Sequence, residues 1–111
     1  MITTRQSIAD ALSTVDGVTG YAKRPTVLGE GVAWPLVQRL DRGPGQAFQT
    51  TWRVIVLLSG DELTASDQLD EFAVTVPDAL RAVLYVDSIT PYAINTDAGD
   101  LFGFELTARS E

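Results

Sequence analysis

The chain has 111 residues, 45% of them apolar and 21% charged, which is the length of one domain and enough apolar surface to close a core, unlike a disordered chain. It contains neither cysteine nor histidine, and this excludes disulfide frameworks, the usual zinc ligand sets, Ser-His-Asp and Cys-His catalysis, and a charge switch near neutral pH. The net charge of −7 is unevenly divided, with residues 1–53 totalling +2 and residues 54–111 totalling −9.

The opening stretch MITTRQSIADAL lacks the basic-then-apolar order of a secretory leader. No apolar run approaches the roughly 18 residues of a membrane span, so the expectation is a soluble protein made in the cytoplasm. The first element reads as a helix. Thr3 and Gln6 have the spacing of a capping box, Ile8, Leu12 and Val15 recur on one face, and Gly17 supplies a stop. From Val18 to Glu30 the signal is mixed, with a weak strand at VTGYA followed by the turn-like KRP and LGEG.

GVAWPLVQRL is extended in character, and Pro35, which cannot donate to a ladder, predicts an edge strand or a strand that begins near the proline. After the glycine-rich DRGPGQAF comes FQTTWRVIVLLS, the strongest strand. Its even positions, from Phe48 through Trp52, Val54 and Val56 to Leu58, are mostly apolar. Its odd positions begin polar at Gln49, Thr51 and Arg53 and become apolar at Ile55 and Leu57. That pattern predicts a strand half-buried near the loop, where it projects beyond the core, and buried on both faces at its far end.

A second helix is predicted from about Ala65 to Leu84, with Leu69, Phe72, Ala73, Val76, Leu80, Val83 and Leu84 in phase on one face. Pro77 predicts a kink, or two helices meeting at Thr75 to Pro77, and the preserved phase favours the kink. Two closing strands, YVDSITPYAI and LFGFELTAR, are joined by the turn-rich NTDAGD. The order gives a single α+β domain over residues 1–111: a largely antiparallel sheet of four to five strands covered by two helices, with one long loop-tipped hairpin.

No constellation carries chemistry. The acids Asp61, Glu62, Asp67, Asp70 and Glu71 lack the ligand spacing and central glycine of a calcium loop, and acids in a first helical turn are favoured by the helix dipole alone. GPGQ is followed by a strand, so it is no phosphate cradle. Arg39, Arg42 and Arg53 beside Trp34 and Trp52 invite a nucleic-acid reading, but a sequence pI near 4.3 opposes phosphate neutralisation. No catalytic, cofactor-binding or metal residue is assigned, and the chain is not expected to be an enzyme.

The unlike charge of the two halves fits a chain that meets copies of itself through two different patches. The candidate interface residues are Trp34, Arg39, Arg42, Gly43, Gly45, Phe48 and Arg53 of the hairpin and its loop, together with Asp67, Asp70 and Glu71 of the acidic helix. Apolar side chains such as Trp34 or Phe48 would carry most of the affinity, and the charges would set orientation.

The element order and several runs resemble the tail-terminator, or tail-completion, proteins of long-tailed bacteriophages, especially those of phages that infect actinobacteria. The runs are RQSIADALSTV, KRP, AWP, the hairpin leading into TWRVIVLLSGD, the helix containing QLDEF, and the closing GFELTAR. The resemblance implies a structural virion protein, assembled in the host cytoplasm and carried in the tail. It would form a homo-oligomeric ring, expected to be a hexamer, that caps the tail-tube protein, stops tube polymerisation and offers a docking surface to the neck or head-completion protein. It implies no enzyme activity and no cofactor. A ring of six such acidic chains would let DNA pass without specific binding, and no membrane is involved. The alternatives are another neck or tail-tube component, or, from a different class, a small acidic ligand-binding or regulatory α+β domain with a closed pocket.

Overall fold

Two long hairpins, joined side by side, make the sheet. The computed structural model describes residues 3–42, 48–96 and 99–110. Helix α1 spans Arg5–Leu12 and is capped by Thr4, whose hydroxyl accepts from Ser7 N at 3.0 Å, while the Ser7 hydroxyl accepts from Thr4 N at 2.9 Å. This reciprocal capping box lies one residue beyond the Thr3–Gln6 spacing expected from sequence. Thr3 instead donates its hydroxyl to Val83 O at 2.7 Å, and Gln6 donates to Asp10 at 2.8 Å. The helix ends at Leu12, and Gly17, at φ 85°, takes the left-handed turn that follows.

Of the weak strand VTGYA only Thr19–Gly20 is a strand, β1, and it runs parallel to the next. β1 lies against α1: a Cβ at Gly20 would stand 2.2 Å from Ala9 O, so only glycine permits this approach. β2 (Val32–Arg42) and β3 (Phe48–Leu57) pair antiparallel from Ala33↔Val56 to Arg42↔Phe48, with a register shift between Val37 and Arg39. Pro35 sits on the outer strand just past the β1 pairing, as its missing N–H requires, and its carbonyl accepts from Arg5 Nη1 at 3.4 Å.

Helix α2 spans Glu62–Leu80, three residues earlier at its start and four shorter at its end than the apolar phase predicts. Asp61 is the cap, accepting from Thr64 N at 3.3 Å and from the Thr64 hydroxyl at 2.7 Å. Pro77 lies inside one continuous helix, so the two-helix alternative does not hold; Ala73 O simply loses its partner four residues on. β4 (Tyr85–Thr96) and β5 (Gly99–Ser110) form the second hairpin, with a register shift between Val86 and Ser88 and pairing out to Thr96↔Gly99. Most of NTDAGD, expected to be loop, is therefore strand.

The sheet order is β1-β2-β3-β5-β4. Among the described residues only the β1–β2 pair is parallel, which agrees with a largely antiparallel α+β sheet. The hairpins meet along β3 and β5, from Thr50↔Ser110 to Leu57↔Gly103. Each is displaced toward its own turn, so the first overhangs at one end of the sheet and the second at the other, and the molecule measures 47 × 26 × 21 Å.

Both helices cover one face, α1 above β1 and β2, α2 above β4 and β5, and they touch each other. Ile8, Leu12, Phe72, Val76 and Leu80 meet Trp52, Val54, Val56, Phe104 and Leu106 there. The opposite face is covered at one end only, where Trp34, Ile55 and Leu57 pack with Leu28, Val32, Leu36, Tyr92 and Leu101. β3 is thus buried on both sides at its far end, as its changing parity predicted.

The close approach of β1 to α1 gives a direct test. Gly20→Ala should lower unfolding stability by about 1–3 kcal/mol, the ordinary cost of overpacking. Gly29→Ala, where an added Cβ meets nothing within 4 Å, should stay within about 0.5 kcal/mol of the parent in the same urea titration. Equal effects at the two positions would rule out the steric account.

Candidate interface

The free end of the first hairpin is an arm that the helices leave bare. Paired residues on neighbouring strands share a face, and Val37 pairs with Trp52 and Leu40 with Thr50, so both apolar side chains are on the helix side of the sheet. Both are nonetheless exposed, and so is Arg39, which pairs with Thr51. Arg42 and Phe48 pair through the last described register position of the arm. Gly43 and Gly45 lie outside the described residues.

The two tryptophans point to opposite faces of the hairpin, and each is covered by an arginine from elsewhere. Arg5 lies 5.8 Å from the Trp52 ring centre, and Arg24 lies 5.8 Å from that of Trp34. Trp52 Nε1 donates to Ser110 Oγ at 2.7 Å, whereas Trp34 Nε1 is buried and has no hydrogen-bond partner among the described residues. With only 2% of its surface exposed, Trp34 packs within its own chain. The expectation that it anchors a neighbour is corrected accordingly: residues 21–31, which show no periodicity, fold over it.

Arg53 is also committed internally. Its Nε donates to Glu105 Oε1 at 2.6 Å and its Nη2 to Oε2 at 2.8 Å, a bidentate pair between β3 and β5 on the face away from the helices. An inter-chain ion pair was expected of Arg53, but the carboxylate that takes it belongs to β5 of the same subunit. These hydrogen bonds hold the Glu105 carboxyl below its ordinary value of 4.5 against the opposing effect of burial, and they raise Arg53. On the same face Arg109 donates to Asp87 at 2.8 Å, from the point where the register of β4 shifts.

Asp67, Asp70 and Glu71 are exposed on α2 with Glu62 and Asp78, and the helix carries no base. They do not converge on an ion: among the described residues no group of three acids is placed to hold a metal. Nor does the fold bring them to the arm. β2 forms one side of the sheet and α2 with β4 the other, so the β2 candidates Arg39 and Arg42 lie across the sheet from the acidic candidates.

The acidic rim holds a feature that sequence reasoning missed. A groove of about 460 Å³ runs between α2 and the start of β4, lined by Val74, Thr75, Pro77, Leu84, Tyr85 and Val86 with Asp78 and Arg81 beside it. Val74 and Tyr85 are exposed. The available signal was Val74 itself, an apolar residue off the phase of Leu69, Phe72, Val76 and Leu80. No family model matches the chain, and no curated protein matches it significantly.

The Arg53–Glu105 pair generates a pH-dependent prediction. Because the folded carboxyl titrates below the unfolded one, its stabilisation is complete above about pH 4.5 and is lost as pH falls through the lowered folded value. Glu105→Gln should cost about 1.5–3 kcal/mol at neutral pH, the range for a hydrogen bond to a charged group. Urea titrations at a series of pH values should show the gap between parent and variant closing under acid; a gap constant with pH would dissociate the pair from acid stability.

Proposed function

We propose that this chain is a structural subunit of a long-tailed bacteriophage, one that caps the tail tube as a ring, halts its polymerisation and presents a docking surface to the head or neck. The observation that supports this best is the difference between the two rims. One rim offers a bare β2 arm and the other an acidic helix beside an apolar groove, and unlike patches on opposite sides are what a head-to-tail ring requires. The resemblance in element order and in local runs points the same way.

The charge distribution fits passage of DNA rather than its capture. Arg53, Arg81 and Arg109 each pair with a carboxylate of their own chain, at 2.6, 2.9 and 2.8 Å, so these guanidinium groups are already engaged before any phosphate arrives. A net charge of −7 per subunit makes the assembly repel a polyanion as a whole. On this reading the protein acts stoichiometrically, without turnover or cofactor.

The test uses a tail-tube protein, the partner that this reading requires. Polymerising tube protein, given increasing amounts of this chain, should yield shorter tubes with material at one end in negative-stain images. Tubes whose length distribution is unchanged at saturating amounts would overturn the capping function.

A further inference from the structure

The geometry points to a self-contact in which the β2 arm of one copy lies in the α2–β4 groove of the next, with Val37 and Leu40 seated against Val74 and Val86 and with Tyr85 at the groove's edge. This names the surfaces through which the ring of the proposed function closes, and it rests on that reading only for the ring itself. Four exposed apolar side chains, two on the arm and two bordering the groove, are the first observation. Val37 is 38% exposed, Leu40 59%, Val74 71% and Tyr85 73%. They form two patches on opposite rims, one a ridge and one a groove.

The second observation is their level along the strands. Arg39 pairs with Thr51, Thr51 with Arg109 and Arg109 with Tyr85, so one continuous row crosses the sheet from the arm to the mouth of the groove. Two copies side by side in the same orientation therefore bring the arm of one to the height of the groove of the other, with no shift along the strands. Val37 and Leu40 are on the helix side of the sheet, where Val74 and Val86 line the groove, whereas Tyr85, paired with Arg109, lies on the other face and borders the groove at its edge.

The third observation is charge. The arm carries Arg39 and Arg42 against Asp41, whereas α2 holds five acids and no base. A neighbour with the reverse orientation would place α2 against α2, five acids facing five, and is disfavoured. The occupant that fits the groove is thus a second copy of this chain, bound head-to-tail. The apolar contacts supply affinity and the charges supply polarity.

Two substitutions test the contact. Leu40→Asp removes the ridge and Val74→Asp removes the groove, and both positions are exposed, so circular dichroism melting should match the parent. In mass photometry and sedimentation from micromolar to near-millimolar concentration, the parent should form species larger than a dimer. Each variant alone should associate about tenfold more weakly or worse. An equimolar mixture of the variants should recover dimers and nothing larger, because one intact arm can still meet one intact groove. Variants that assemble like the parent, or a mixture with no dimer, would overturn this contact while leaving tube capping to its own assay. A parent that stays monomeric throughout would also overturn it, and variants that then fail to cap tubes would assign the arm or groove to the tube protein instead.

Discussion

The pairing of β3 with β5 joins two hairpins that would otherwise each present an apolar face to water. Along it Trp52, Val54 and Val56 turn toward the helices beside Ala108, Leu106 and Phe104, and Ile55 and Leu57 turn toward the other cluster. α1 belongs to the first hairpin and α2 to the second, and they meet above this line. The bidentate Arg53–Glu105 pair crosses it on the opposite face, where no helix contributes. Buried area sets the strength of the junction, and the ion pair adds direction: a slip of one residue would turn every side chain over and part the two charged groups.

Because the junction lies between β3 and β5, β2 and β4 are left toward opposite sides of the sheet, and the bare part of each hairpin falls on a different rim. Charge follows the same division, because residues 1–53 total +2 and residues 54–111, with the acidic α2, total −9. Such a subunit is polar from side to side. The order of its sheet, more than any single residue, distinguishes one rim from the other.

The parity of FQTTWRVIVLLS and the phase of Leu69, Phe72, Val76 and Leu80 were legible because burial leaves a period in the sequence. Thr3 and Thr4 were not separable by spacing. Which of them caps α1 depends on the Val83 carbonyl that occupies Thr3, a contact 80 residues away. NTDAGD reads as a turn from its composition, whereas Asn95 and Thr96 are strand through pairing with Asp100 and Gly99, which leaves no trace in composition. Arg53 and Trp34 misled for a related reason. Glu105 is 52 positions from Arg53, and the cover over Trp34 comes from a segment without periodicity, so neither partner is visible until the register is known.

The outer strands carry a further meaning. β2 has Pro35 and a register shift between Val37 and Arg39, and β4 has a register shift between Val86 and Ser88 and then Pro91. Each rim therefore lacks a donor and bends where another strand would need a straight, complete ladder. Backbone growth of the sheet, the route that leads crowded chains into fibrils, is obstructed at both rims by covalent structure. Any contact at these rims is therefore left to side chains, and contacts of that kind separate and re-form more readily than a backbone ladder.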